Sequence, residues 1–405
     1  MLCFRLFFKQ SNMTYLGEKG IRILEDYPVA DNSDLADKPE QNDLQTAWSE
    51  EDKHYEEKTG VIEVAGRQYQ FKVSVPLLRY RDGRDDPFTD GMGRAITEVA
   101  PDLEAPHDIV IPVLPGWGET SAQFEGDFLE IMLDVLKEAG YENPKVMGIN
   151  PAGRGTPEYL GERNKNRISG VRMMDEIYDA QNIADALVGR GYFGKDGRRP
   201  EVAVIGHSMG ALDSSAFLNV LNNKGGVPGI GKDHDFKVDR LLHMMPAVDG
   251  PFAMVRARFL WAVRKQVLES LKQAVPGKGS LSLNEQDYHR IMFGDENFRD
   301  DEQYARSVPD SARRFLQLTL NFRRRFAEVY KEGGPADGVK MTVWKGGNDK
   351  LIPDNAITDL PRLTAANGLS AASVELLPDL SHSIPFRLRD AQREQVKAAL
   401  GKFFS

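Results

Sequence analysis

Cysteine is all but missing: Cys3 is the only one among 405 residues, which excludes an intramolecular disulfide. Histidine is scarce as well, with seven, and no His or Cys pair has the spacing of a metal site, so the chemistry expected of the chain needs neither metal nor cofactor. No uninterrupted apolar run approaches the roughly 20 residues needed to cross a bilayer. Nor is there a dominant basic stripe. Lys and Arg number 52 against 61 Asp and Glu, a net charge of -9, and that balance argues against nucleic acid or an anionic membrane as the main partner. A small-molecule substrate is the partner expected; composition says nothing of oligomeric state. Residues 1–8, MLCFRLFF, are apolar but short and broken by Arg5, with no small-residue cleavage site after them. They read as a tail, Met13 offers an alternative start, and a cytoplasmic location is the default expectation. At 41% hydrophobic and 28% charged, the composition is that of a globular protein long enough for a large core and an accessory domain.

What the chain does have is concentrated in residues 201–212, EVAVIGHSMGAL. Val202 to Ile205 read as a buried parallel strand and Leu212 to Leu221 as a helix, with Gly206-His207-Ser208-Met209-Gly210 between them. A serine raised on so sharp a turn needs small residues two before and two after it, and Gly206 and Gly210 meet that demand. A serine hydroxyl is a weak nucleophile near neutral pH, so it needs a histidine to take its proton and an acid to orient that histidine.

Most histidines are poorly placed for this. His54 lies in a charged N-terminal stretch, His107 precedes a strand, His207 flanks the serine, and His234 sits in a polar loop; His243 is inside an apolar strand and His289 in a helical insert. His382 stands on a loop after the strand-like residues 374–377, at the sheet edge where ligands of open α/β sheets collect. Two acids compete for it. Asp349 follows the strand-like VWKGGN and gives the order serine, acid, histidine; Asp249 closes the preceding strand and is the alternative.

With these residues in place the chain resembles the serine-nucleophile branch of the α/β-hydrolase superfamily, esterase- or lipase-like with a helical cap. The resemblance runs from about residue 60 to the C-terminus. It implies a mostly parallel sheet with helices on both faces, a Ser208-His382-Asp349 triad, and an oxyanion hole built from the backbone NH groups of Trp117 and Met209. Relatives usually carry His-Gly in the first of those loops, whereas this chain has Pro115-Gly116, which puts the support of the loop in question more than the chemistry.

Strand-like runs at 109–114, 146–149, 202–205, 241–245, 341–344 and 374–377 alternate mostly with helix-length segments, as a parallel sheet requires. Helical spacing is clearest at Phe124, Phe128, Ile131, Met132 and Val135, and again at Met174, Ile177, Ile183, Ala184 and Leu187. Pro112 cannot donate a ladder bond and suggests a local bulge. Residues 60–74 suit an edge hairpin turning at Ala65-Gly66-Arg67, and residues 386–404 a C-terminal helix. The expected organisation is an N-terminal arm at 1–59, flexible or loosely laid on the surface, then hydrolase core at 60–250, a helical cap at 251–336 inserted after the sixth strand, and core again at 337–405. Phe252, Met254, Phe259 and Trp261 are candidates for an apolar substrate wall, and Arg154 in the loop NPAGRGT for a substrate contact. The arginines at 313, 314 and 323–325 read as a solvated helix face. These features point to a serine hydrolase of an ester or lactone of a moderately apolar molecule. Carbon–carbon bond hydrolysis or acyl transfer on the same triad is the alternative; a catalytically silent ligand-binding protein is the reading from another class.

Overall fold

Residues 109–114 and 202–206 are apolar wherever they point, and strands of that kind are stable only between two covered faces. The computed structural model describes residues 22–26, 58–64, 66–74, 96–150, 180, 183–184, 187, 199–221, 238–246, 280–281, 283–294, 298–308, 310–311, 339–352 and 372–405. It places the two runs side by side within a 10-stranded sheet. The strands of that sheet are β1 (Arg22–Asp26), β2 (Lys58–Val64), β3 (Arg67–Ser74), β4 (Ile96–Ala100), β5 (Ile109–Leu114), β6 (Lys145–Ile149), β7 (Glu201–His207), β8 (Arg240–Met244), β11 (Lys340–Gly346) and β12 (Ser373–Leu377). Their order is β1-β2-β3-β4-β6-β5-β7-β8-β11-β12. From β6 onward neighbours run parallel; β1 to β4 are antiparallel to their neighbours. A separate antiparallel pair joins β9 (Ser280–Leu281) to β10 (Asp310–Ser311).

The helices with described bounds are α1 (Asp127–Glu138), α2 (Gly210–Leu221), α3 (Glu285–Met292), α4 (Asp301–Tyr304) and α5 (Asp390–Phe404). Alternation assigns each strand residue to one cover. Ile109, Ile111 and Val113 of β5 and Ala203 and Ile205 of β7 pack with α1 and α5, while Val110, Leu114, Val202 and Val204 pack with α2 and with helical Ala180, Ile183, Ala184 and Leu187. The α1 stripe Phe128, Ile131, Met132, Val135 and Leu136 is wholly buried, and each such side chain contributes about 1.5–3 kcal/mol. Among the described residues no helix is long and apolar enough to cross a membrane.

Several local expectations change. Pro112 makes no bulge: Val110 and Val113 pair with Val202 and Ile205 in one register, so the strand gives up a ladder bond rather than its alignment. The hairpin β2–β3 is as expected in its turn, with Gly66 at φ 73, but β1 lies outside it, so residues 22–26 of the acidic arm belong to the sheet. Strand β4, unnoticed in the sequence, joins the hairpin to β6. The C-terminal helix begins at Asp390, not near residue 386, because Arg389 is extended (φ -71°, ψ 158°) and its amide donates to the Gln392 side chain at 3.1 Å in a capping box. The preceding Phe386 and Leu388 amides donate to Asp300 Oδ2 and Asp127 Oδ2, each at 2.8 Å. Of the segment 251–336 expected to form the cap, the described residues are 280–281, 283–294, 298–308 and 310–311; the rest lies outside them.

Candidate active site

Loops at the C-terminal ends of β5, β7, β11 and β12 converge, as open parallel sheets require of a ligand site. Ser208 follows β7 directly. Its φ of 51° is a backbone conformation that side-chain-bearing residues seldom adopt, and it aims the side chain out of the turn. The turn closes because its flanks are glycines. A Cβ on Gly206 would stand 2.3 Å from the Gly210 carbonyl oxygen, and one on Gly210 would stand 2.3 Å from that of Leu114. The Ser208 amide donates to Met244 O at 2.9 Å, which ties the elbow to β8.

His382 comes from the loop after β12 and Asp349 from the loop after β11. His382 Nε2 is 2.9 Å from Ser208 Oγ, and its Nδ1 is 3.0 Å from Asp349 Oδ2. The other carboxylate oxygen of Asp349 accepts the amides of Leu351 and Ile352 at 2.8 and 3.0 Å, which fixes the acid by its own loop. All three side chains are buried. Such a line can pass a proton from hydroxyl to imidazole while the carboxylate stabilises the ring's charged form.

The loop after β5 rises against the serine: a Cβ on Gly116 would lie 2.9 Å from Ser208 Cβ. It turns at Gly116–Glu119, the Glu119 amide donating to Gly116 O at 3.3 Å. Gly118, at φ 69°, occupies the position of a type II turn that requires positive φ. Residues 298–308 and 310–311 hold this loop, because the Gly118 amide donates to Asp310 Oδ2 at 2.8 Å and the Val308 amide to Gly118 O at 2.9 Å. The same residues hold the histidine loop, through Asp300 to Phe386 and Gln303 Nε2 to Ile384 O at 3.1 Å.

The structure therefore brings together Ser208, Asp349 and His382, with buried Trp117 and Met209 beside them. The alternative acid Asp249 and the substrate-contact candidates Arg154, Phe252 and Trp261 lie outside the described residues, as do Met254 and Phe259. Sequence reasoning missed a second buried group. Glu119 and His207, each 1% exposed, meet at 2.6 Å between Oε2 and Nδ1. Burial disfavours both charges. The partners outweigh it: the His207 charge and hydrogen bond, with help from His382 and the Gly116 amide, hold Glu119 below the usual carboxylate value, and Glu119 chiefly holds His207 above the usual imidazole value. The available signals were Glu119 three residues after Gly116 and His207 next to the serine, neither of which names the other.

A family model described as the alpha/beta hydrolase family matches residues 88–398. Comparison with curated protein sequences gives no match. Among solved structures, a peroxisomal alpha-beta-hydrolase from Saccharomyces cerevisiae is 15% identical, with 83% of this chain and 89% of that one covered at a TM-score of 0.49. A soluble variant of monoglyceride lipase from Saccharomyces cerevisiae, in complex with a substrate analogue, is 14% identical, covering 82% and 96% at 0.48. A highly thermostable carboxyl esterase from Bacillus coagulans, in complex with glycerol, is 12% identical, covering 83% and 99% at 0.47.

Proposed function

Because the chain belongs to the alpha/beta hydrolase family, we propose that it is a serine hydrolase acting on an ester or lactone of a moderately apolar small molecule. The observation that carries this reading is the unbroken line from Asp349 Oδ2 through His382 to Ser208 Oγ, at 3.0 and 2.9 Å. Ser208 Oγ attacks the carbonyl carbon as its proton passes to His382 Nε2. Asp349 keeps the other ring nitrogen protonated and stabilises the imidazolium. The Trp117 and Met209 amides receive the oxyanion. Collapse expels the alcohol, which leaves with the proton from His382, and the acyl group stays on Ser208. Water gives a proton to His382 and attacks the acyl carbonyl; the acid departs and Ser208 recovers its proton.

The apolar character of the substrate is supported by Phe252, Met254, Phe259 and Trp261, which in this reading belong to a lid over the sheet edge. The test is turnover of p-nitrophenyl esters of increasing acyl length by the wild type and by Ser208→Ala. Loss of about 10⁴-fold or more in kcat in the variant supports the reading. Turnover that survives the substitution, or none in the wild type, overturns it, and the second outcome shifts weight to carbon–carbon hydrolysis, acyl transfer or silent binding.

A further inference from the structure

Counting protons around His207 gives its charge. Its Nε2 is 2.7 Å from the backbone carbonyl oxygen of His382, an atom that can only accept, so Nε2 carries a hydrogen. Its Nδ1 is 2.6 Å from Glu119 Oε2, and a second proton lies in that contact. Glu119 Oε2 also accepts the Gly116 amide at 2.7 Å, and Oε1 accepts the Ser383 hydroxyl at 3.1 Å. Donors thus converge on both oxygens, which favours the ionised carboxylate and leaves the second proton on His207. One carboxylate therefore meets the oxyanion loop through Gly116, the elbow through His207 and the histidine loop through Ser383. His207 closes the circuit on His382 itself.

We infer that Glu119 and His207 form a standing ion pair that positions the oxyanion loop and His382 relative to Ser208; the role rests on the serine-hydrolase reading above. Neither residue touches the reacting atoms, so both are positioning residues. Three observations favour this over a merely structural contact. The carboxylate grips the amide of Gly116, whose Cα lies against the nucleophile. The two imidazole rings stand 5.5 Å apart, so a cation at His207 opposes the positive charge His382 must acquire unless Glu119 neutralises it. An isosteric amide also cannot replace the acid: glutamine at 119 either turns its NH₂ toward the Gly116 amide or leaves the His207 cation without a counter-charge. Other titratable groups near the pair are Asp349, whose charge favours the cation, and Tyr288, whose buried hydroxyl faces Gln123 and Ser383.

The test joins a spectroscopic and a kinetic readout. In protein labelled with ¹⁵N-histidine, with His207→Gln for assignment, one imidazole is expected to carry both ring protons at pH 7, where an ordinary imidazole has lost one. Glu119→Gln is expected to lose that signal and to lower kcat about 10- to 100-fold with KM changed less than threefold, as befits a misplaced oxyanion donor. A singly protonated His207 at pH 7 in the wild type overturns the inference without any variant having to fold, and so does a Glu119→Gln enzyme with full kcat. If Ser208→Ala keeps its turnover, the hydrolase reading and the positioning role fall together; failure of the ion pair in an enzyme that still needs Ser208 sinks this inference alone.

Discussion

Two histidines on neighbouring strands, one register step apart, have opposite fates. Gly206 pairs with His243 and His207 with Met244 across β7 and β8, and both imidazoles are almost wholly out of solvent. Among the described residues His243 has no partner at either ring nitrogen, and burial alone pushes it down to about 3. His207, at the rim where the loops gather, has an acceptor at each nitrogen and is held above the ordinary value despite the same burial. Burial thus penalises charge everywhere, and the rim of the sheet differs from its interior in supplying partners.

The sharpest contrast between rim and interior is catalytic. Asp349→Asn keeps an acceptor for the Leu351 and Ile352 amides but no longer holds His382 in its tautomer; kcat is expected to fall about 10⁴-fold with the fold retained. His243→Leu, on the interior strand, is expected to leave kcat within threefold. Equal losses from the two substitutions, read in the same ester assay, would erase the distinction. Next in size is His207→Phe, which strands the Glu119 charge among buried groups and is expected to cost about 3–5 kcal/mol of stability by urea unfolding. Adding Glu119→Gln should recover part of that cost, since the uncompensated charge goes with it; a double variant as unstable as the sum of the singles would deny the coupling.

The interior partner gives a smaller, pH-dependent effect. Between about 3 and 6.5 the unfolded chain protonates His243 while the folded one does not, so stability falls as pH falls through that window. About 2–3 kcal/mol of the wild type's stability should go between pH 7.5 and 4.5 on this account. His243→Leu should show a shallower acid slope, and parallel slopes would mean that the ring finds a partner when charged.

The comparison also explains what the sequence could disclose. The elbow was legible because its signals are local: an apolar run, a serine, and glycines two residues away on either side. Asp349 and His382 could be nominated because each follows a strand-like run, and strand ends are where side chains of a parallel sheet meet. Glu119 and His207 are 88 positions apart, and His207 reaches the His382 carbonyl across 175, so nothing in either neighbourhood announces the contact. Strand β4 escaped for a related reason. Its Glu98 is buried against Lys145 of β6 at 3.3 Å, and a charged residue whose partner lies on a distant strand breaks the apolar pattern by which strands are recognised.

The smallest effect moves the lesson from histidines to glutamates. Glu125 lies six residues beyond Glu119, just after the short helix Ser121–Phe124, and is only partly buried by surface area. Desolvation raises its carboxyl to about 7, with the Arg306 charge pulling the other way without winning. Glu119, more deeply buried, is ionised because Gly116, His207 and Ser383 all point donors at it. Between pH 4.5 and 7 the unfolded chain has lost the Glu125 proton while the folded chain keeps it, so stability declines as pH rises through that window and is level above it. Glu125→Gln should abolish this decline, which denaturant midpoints at pH 5 and 8 would read as a variant stabilised relative to wild type at the higher pH alone. An equal gain at both pH values would mean that Glu125 is ionised in the fold, and that partners short of those around Glu119 suffice to keep a carboxylate charged.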